Sequence, residues 1–294
     1  MPMKRILSLI IICLMIVGCV PIQTPAQIAA STLPVYEFTV RLCQNTGITV
    51  TRLVNESVSC LHDYTLQVTQ MKSIEAAELV VMNGGGLEEF LHDALHSASN
   101  IADASLDIPL LCPQTAHSHD HEHEHEHHHE KDPHIWLSPV HAAQMAANIC
   151  SALCSRYPEH RETFQTNLAS IQADLQTLQT YGEEQLRDLS CRELVTFHDG
   201  FAYFAEAFDL SILEAVEEES GSEAPASELI RLITLVQDHA LPAIFIETNG
   251  SDAAAQIIST ETGTKIYTLD MAMAGDSYFD AMYRNINTIK EALG

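Results

Sequence analysis

The sequence predicts an α/β protein of two lobes, each a parallel sheet flanked by helices, joined by one long rigid connector helix. Short apolar runs typical of buried strands alternate with helical patterns in both halves of the chain. Between the halves lies a helical pattern of about thirty residues, which spans roughly 45 Å at about 1.5 Å per residue. With 294 residues, 46% of them hydrophobic, the chain is long enough to bury two cores.

Residues 1–18 are predicted to be a signal peptide, because two basic residues precede an apolar run that ends at Gly18. Cys19 follows directly and resembles the lipidated cysteine of a bacterial lipobox. Residues 19–32 are rich in Pro, Gln, Ala, Ser and Thr, which predicts a flexible tether to the membrane. An uncleaved anchor helix is the alternative. Either interpretation places the rest of the chain outside the cytoplasm, at the cell surface or in a periplasm.

The first lobe is predicted to cover residues 33–157. Ser138 and Pro139 suit the cap and first turn of its last helix. Three consecutive glycines predict a turn at 84–86. The patterns predict helices at 35–45, 69–77, 87–98 and 139–156, and strands at 48–54, 79–82 and 101–106.

Residues 158–190 are predicted to form the connector helix. Its apolar positions are spaced by four and three and share one narrow face: Phe164, Leu168, Ile171, Leu175 and Leu178. A self-associating coiled coil is the alternative, but we expect a monomer. The second lobe follows at 191–294, with strands at 193–197, 211–215, 243–247 and 265–269 and helices at 200–208, 227–239, 251–260 and 278–293.

A stretch at 117–130 alternates histidine with acidic residues and contains almost no apolar side chain, which predicts a mobile loop. Imidazole nitrogen suits zinc, copper and nickel, and carboxylates add oxygen ligands. We interpret the loop as an auxiliary metal-collecting segment, with a solvated acidic spacer as the alternative. The loop alone specifies neither a metal nor a geometry. Its eight histidines are His117, His119, His121, His123, His125, His127, His128 and His129.

The net charge of −26 disfavours nucleic acid and anionic lipid as partners and attracts cations in a general way. In an exported protein an even number of cysteines suggests disulfides, and six allow fifteen pairings. No Cys-x-x-Cys pattern occurs, which argues against a thiolate zinc site or a thioredoxin-like centre. The six cysteines that follow the signal and Cys19 are Cys43, Cys60, Cys112, Cys150, Cys154 and Cys191.

Four residues outside the loop stand where a strand ends or a loop turns: His62, His134, His198 and Asp270. In open α/β sheets ligands bind beyond the carboxyl ends of strands, where His198 and Asp270 are predicted to fall. Three imidazoles and one carboxylate would make a tetrahedral site for Zn²⁺. Taken singly, each of these residues is weak evidence.

Together with their neighbours these residues resemble the extracytoplasmic substrate-binding protein of a zinc/manganese ABC transporter. The resemblance covers nearly the whole chain after the signal. Its motifs are His62-Asp-Tyr, Ala77-Glu-Leu-Val, Asn83-Gly, Leu87-Glu, Asp132-Pro-His-Ile-Trp-Leu, Val195-Thr-Phe-His-Asp, Tyr203-Phe, Glu223-Ala-Pro-Ala-Ser-Glu-Leu, Ile244-Phe-Ile-Glu, Thr262-Gly, Leu269-Asp, Tyr278 and Asn285.

The resemblance implies that the metal is held in the cleft between the lobes by His62, His134, His198 and Asp270. Histidine rather than glutamate at the third position favours zinc over manganese. The sequence departs from the family's pattern at residues 59–61, just before His62, and at 271–273, just after Asp270. The resemblance also implies delivery of the metal to an ABC-type permease in the membrane.

The leading hypothesis is therefore capture of Zn²⁺, with Mn²⁺ or mixed metals as the alternative cargo. A zinc hydrolase is a second class, in which Glu247 or Asp199 would act as general base. No His-Glu-x-x-His motif is present and four protein ligands would close the site to water, so we expect no enzyme. We expect Glu247 and Asp199 to orient the metal-binding imidazoles instead. An adhesin or metal-storage lipoprotein would explain the loop but not the four-residue site.

Overall fold

The first lobe is built on a parallel sheet whose strand order is β2-β1-β3-β4. The computed structural model describes residues 26–55, 64–95, 100–112, 131–216, 225–248 and 250–294. The strands are β1 (Ile28–Ala30), β2 (Val50–Arg52), β3 (Leu79–Met82) and β4 (Ile101–Asp103). The helices are α1 (Leu33–Leu42), α2 (Val68–Ala76), α3 (His92–Leu95) and α4 (Pro139–Arg156), with 3₁₀ turns at Glu89–Leu91 and Ile135–Leu137.

The second lobe repeats this plan with the strand order β6-β5-β7-β8, again all parallel. Its strands are β5 (Glu193–Thr196), β6 (Ser211–Ala215), β7 (Ala243–Glu247) and β8 (Lys265–Leu269). Its helices are α6 (Ala202–Ala207), α7 (Ala226–Asp238), α8 (Ala253–Thr262) and α9 (Tyr278–Leu293). In each sheet the direction of strand addition reverses between two inner strands, which places a crevice at their carboxyl ends.

One long helix links the lobes, as predicted. A 3₁₀ turn at Pro158–His160 leads into α5 (Arg161–Gln185), whose 25 residues span about 37 Å. The predicted apolar stripe is buried or half-buried along its length. Near its start, Asn167 donates to the Leu42 carbonyl of the first lobe at 2.8 Å. Near its end, Gln179 donates to the Ala207 carbonyl of the second lobe at 3.1 Å.

A second helix, α9, also bridges the lobes. The Tyr278 hydroxyl donates to the Trp136 carbonyl at 2.7 Å, and the Tyr278 amide donates to Glu37 at 2.6 Å. The ring of Tyr278 packs edge-on against Phe38, with 5.2 Å between centroids. On the other side Tyr181 of α5 donates to Asn287 of α9 at 2.7 Å. Two helices therefore fix the separation of the lobes.

Several predicted bounds differ from the structure, and three of the differences affect the architecture. Residues 28–30 are the inner strand β1 of the first sheet and not part of the tether. The sequence gives no strand pattern there, because only three apolar residues lie in a region rich in Pro and Gln. The helix predicted at 87–98 is only a 3₁₀ turn and the four-residue α3 over its described part, since Glu88 binds the backbone of the preceding turn. The connector helix ends at Gln185 and not near residue 190.

The predicted signal, Cys19 and the histidine-rich loop lie outside the described residues. Within the described ranges, no helix is both long and apolar enough to cross a membrane. The five described cysteines, Cys43, Cys112, Cys150, Cys154 and Cys191, form no disulfide with one another. Cys150 and Cys154 lie one turn apart on α4 with their sulfurs 4.0 Å apart. Cys60 is outside the described part, so its pairing stays untested.

Truncating the apolar face of the connector should destabilise both lobes together. Ile171 is fully buried on α5, so Ile171→Ala should lower the free energy of unfolding by about 2–4 kcal/mol. Urea unfolding followed by circular dichroism measures this. Leu106→Ala, at a side chain that is 61% exposed, should change it by less than about 0.5 kcal/mol. Equal effects of the two substitutions would contradict the packing described for α5.

Candidate metal site

The crevice of the second sheet holds His198 and Glu247. His198 follows β5 and Glu247 ends β7, the two inner strands between which strand addition reverses. The Nδ1 atom of His198 lies 3.7 Å from Oε2 of Glu247, in ion-pair range but beyond hydrogen-bond length. Burial raises the pKa of Glu247 to about 8, so this carboxyl resists ionisation until a positive charge is nearby.

His134 enters the same crevice from the first lobe. It is 8% exposed and precedes the 3₁₀ turn Ile135–Leu137. Asp132 Oδ1 lies 2.8 Å from the Nδ1 atom of His134 and also accepts the His134 backbone N–H at 2.9 Å. A carboxylate at Nδ1 favours the tautomer in which Nε2 carries the lone pair, and this is how proteins orient an imidazole toward a metal.

The loop that carries His134 is held from both lobes. Asn83, at the end of β3, donates to the Pro133 carbonyl at 3.1 Å. The Tyr203 hydroxyl, on α6 of the second lobe, donates to the Asp132 carbonyl at 2.9 Å and accepts the Leu111 N–H at 2.8 Å. The position of His134 is therefore fixed before any ligand arrives.

The two imidazoles meet across the cleft. The rings of His134 and His198 lie 5.3 Å apart between centroids, nearly perpendicular. Gly200 permits this approach, because a Cβ atom at that position would lie 2.8 Å from His198 Cδ2, 3.1 Å from His134 Nδ1 and 2.5 Å from Met271 Cε. A side chain at residue 200 would push these groups apart.

Two buried carboxylate oxygens at this point, Oδ2 of Asp132 and Oε2 of Glu247, have no hydrogen-bond partner among the described residues. Placing a negative charge on a buried oxygen that has no partner is costly, and a cation in the cleft would offset that cost. The donor chemistry therefore fits a borderline-soft divalent metal such as Zn²⁺.

Asp270 follows β8 at the cleft margin, and both of its carboxylate oxygens are engaged. Oδ1 accepts the Ala272 N–H at 2.8 Å, and Oδ2 pairs with Arg284 at 2.9 Å. Its main chain is held by Asn285 of α9, which accepts the Asp270 N–H at 2.8 Å and donates to the Asp270 carbonyl at 2.7 Å. The backbone of Asp270 is thus fixed, while its carboxylate would have to turn from Arg284 to reach a metal.

The structure brings together some predicted site residues and leaves others undecided. The His134 ring lies beside the His198 ring, and Glu247 lies beside His198. Asp199, which follows His198 in the sequence, is buried. His62 lies outside the described residues, as does the whole loop at 117–130. Within the described ranges, no three His, Cys, Asp or Glu side chains are close enough to hold a metal on their own. The orienting role of Asp132 was not predicted, although the spacing Asp-Pro-His could have signalled it.

The crevice of the first sheet contains a buried acid that the sequence analysis did not single out. Glu88 accepts hydrogen bonds from the Ser31 hydroxyl at 2.5 Å, the Asn83 N–H at 2.6 Å and the Gly84 N–H at 3.0 Å. Burial raises its pKa from 4.5 to about 7 in spite of these donors. Glu88 therefore fixes the turn from which Asn83 reaches the His134 loop.

The raised pKa of Glu88 should make stability depend on pH. Between about pH 4.5 and pH 7 the Glu88 carboxyl is deprotonated in the unfolded chain but keeps its proton in the folded chain. The contribution of Glu88 therefore favours folding at low pH and is lost as the pH rises. The free energy of unfolding of the wild type minus that of Glu88→Gln should fall over this range by on the order of 3 kcal/mol. Urea unfolding at several pH values measures it, and a flat difference would contradict the assignment.

The family model described as "ZnuA: Zinc-uptake complex component A periplasmic" matches residues 28–292. The chain belongs to this family. A putative metal-binding protein of Treponema pallidum is 30% identical over 241 residues, which cover 79% of this chain and 76% of that protein. The high-affinity zinc uptake system protein ZnuA of Bacillus subtilis is 29% identical over 273 residues, which cover 88% and 85%.

The fold comparison agrees. The crystal structure of the Zn(II)-bound ZnuA-like domain of Streptococcus pneumoniae AdcA superposes with a TM-score of 0.75 at 26% identity, covering 90% of this chain and 98% of that one. The family and the two-lobe fold expected from the sequence are both confirmed.

Removing either central imidazole should abolish tight metal binding. His134→Ala and His198→Ala should each weaken Zn²⁺ binding by at least 100-fold, because each removes one ligand from a closed set. Competition against a zinc chelator measures this. His239→Ala is the matched control, since His239 is paired with Glu193 at 2.9 Å on the exposed end of α7. Unchanged affinity in the first two variants would refute the ligand assignment.

Proposed function

We propose that this protein captures Zn²⁺ outside the cytoplasm and delivers it to an ABC-type permease. One observation carries the proposal: His134 and His198 meet in a cleft between two lobes, with carboxylates beside their Nδ1 atoms, in a chain of the zinc-uptake family. The relatives are named for zinc uptake and metal binding. Since the family is one of solute-binding transport proteins, the zinc hydrolase alternative has no support beyond the position of Glu247.

The proposed ligands are His62, His134, His198 and Asp270. His134 would bind through Nε2, because Asp132 lies at its Nδ1 atom. His198 has Glu247 on its Nδ1 side, which assigns Glu247 the same orienting role once the metal is present. Asp199, which follows His198 and is buried, would likewise help to orient the metal-binding imidazoles. Asp270 would complete the site after exchanging Arg284 for the metal.

The remaining parts would serve capture and location. We propose that Cys19 is lipidated and that the residues before β1 tether the protein to the membrane. The histidines at 117–130 would raise the local concentration of zinc and be dispensable for the tight site. The net charge of −26 favours cation approach. A monomer suffices, because all proposed ligands come from one chain.

The cargo can be tested by competitive titration of the chain with residues 117–130 deleted. One tight Zn²⁺ site per chain, absent in His134→Ala, with Mn²⁺ far weaker, is the expected result. Comparable Mn²⁺ binding would make this a mixed-metal importer component. Loss of all tight binding on deletion of the loop would place the function in the loop and refute the four-ligand site.

Acid should release the metal. An imidazole must be neutral to bind zinc, so protons compete with the metal, and binding should be lost between about pH 7 and pH 5. A zinc-sensitive dye monitors the release as the pH falls. Full retention at pH 5 would argue against a site built on three histidines.

A further inference from the structure

The segment that follows Asp270, residues 271–275, is here called the strap. It is continuous with β8 of the second lobe, yet it is bound to the first lobe. Trp136 Nε1 donates to the Met271 carbonyl at 2.7 Å, the Leu33 N–H donates to the Met273 carbonyl at 3.1 Å, and Arg52 Nη1 donates to the Gly275 carbonyl at 2.7 Å. The carbonyls of every second strap residue, Met271, Met273 and Gly275, thus accept hydrogen bonds from three different elements of the first lobe.

Burial and backbone conformation show that the strap is held firmly. Met271, Ala272 and Met273 are 6%, 0% and 4% exposed. Ala272 has a φ of +54°, a conformation that costs a non-glycine residue energy and persists only when the surroundings impose it. The N–H of the same residue donates to Oδ1 of Asp270. The position of the strap therefore directly affects the position of the Asp270 carboxylate, which precedes it in the chain.

The donors in the first lobe are themselves tied to the metal site. Trp136 lies two residues after His134, in the 3₁₀ turn Ile135–Leu137 that His134 precedes, and its ring packs edge-on to the His134 imidazole with 5.3 Å between centroids. One hydrogen bond from Trp136 to Met271 thus links the segments that carry His134 and Asp270. Arg52 is set in place by Asn55, at 3.0 Å from Nε, and by the face of Tyr36, at 5.7 Å.

We propose that Arg52 and Trp136 are positioning residues for Asp270: through the strap, the first lobe sets where the carboxylate of the second lobe stands relative to His134. This inference rests on the proposed zinc site. The departure from the family's pattern at residues 271–273 lies within the strap, where the Met271 and Met273 carbonyls accept from Trp136 and Leu33. Positioning through the strap also means that His134 and Asp270 keep their spacing without closure of the lobes.

The decisive experiment is a double-mutant cycle on the full chain, in which the affinity of the tight site for Zn²⁺ is measured. The tight site is defined as the Zn²⁺ binding that is lost in His134→Ala. Arg52→Met keeps the aliphatic stem on Tyr36 and removes the donor to Gly275. It should weaken zinc binding about fivefold, the typical worth of one hydrogen bond. In an Asp270→Asn background the same substitution should cause no further loss, because its effect passes through Asp270.

Trp136→Phe removes the indole donor and should weaken binding on the order of tenfold, since it leaves a buried carbonyl unpaired. Thr264→Val, which removes a buried hydrogen bond to the Leu241 carbonyl far from the cleft, is its control and should leave zinc affinity unchanged. Arg41→Met is the control for Arg52→Met. Arg41 also contacts a bridging element, with its guanidinium 5.0 Å from the Phe279 ring, but it makes no bond to the strap.

A readout on the metal-free protein separates positioning from ligation. Hydrogen exchange of the peptide 271–277 should be faster in Arg52→Met and unchanged in Arg41→Met. If wild type has no tight site that depends on His134, the proposed function fails. The positioning role is refuted if the tight site exists but Arg52→Met changes neither the Zn²⁺ affinity of that site nor the hydrogen exchange of the strap. It is also refuted if the effects of Arg52→Met and Asp270→Asn on Zn²⁺ affinity are fully additive. Should Trp136→Phe fail to fold, the variant at the half-buried Arg52 decides.

Discussion

The fixed separation of the two lobes is the constraint on which the rest of the structure depends. Helix α5 is anchored to the first lobe near Asn167 and to the second near Gln179. Helix α9 returns across the boundary at Tyr278, whose hydroxyl and amide bind first-lobe groups. Two helices span the cleft. A hinge opening of the lobes, of the kind that flexible connecting strands allow, would therefore break buried contacts of both helices. We therefore propose that the cleft is largely formed before metal binds, and that metal release comes from local movement of a ligand loop.

Within that cleft, buried carboxyl groups lie beside both imidazoles. Asp132 and Glu247 stand behind His134 and His198, and each keeps a buried oxygen without a hydrogen-bond partner in the described part of the chain. The burial that raises the pKa of Glu247 to about 8 reflects the cost of a negative charge there. A divalent ion bound to the imidazoles would remove that cost and allow the carboxylate to hold His198 in its metal-binding tautomer. At the cleft margin Arg284 pairs with Asp270 at 2.9 Å, a contact that Asp270 would have to leave in order to bind a metal.

The sequence was sufficient where local pattern and tertiary structure agree. The strand at 79–82 and the helix from Pro139 to Arg156 were predicted with their observed bounds, because an apolar run between turn residues and a Ser-Pro start leave few alternatives. Ile28–Ala30 was assigned to the tether because a three-residue inner strand has no period of its own and is defined by its neighbours β2 and β3. The motifs singled out His134, His198 and Asp270 as site residues, but they did not indicate which side chains face them. Arg284 at Asp270 and Trp136 at Met271 bring together residues distant in sequence, and only the packed chain sets such distances.

We expect one zinc ion to bind between the two lobes at His134 and His198. A crystal structure of the zinc-loaded protein, with anomalous data collected at the zinc edge, would locate the ion. The expected result is a single strong peak at about 2.0–2.2 Å from Nε2 of both His134 and His198, with Asp270 turned from Arg284 toward the ion. A peak elsewhere, or a zinc-loaded cleft in which Nε2 of His134 has no metal, would contradict it.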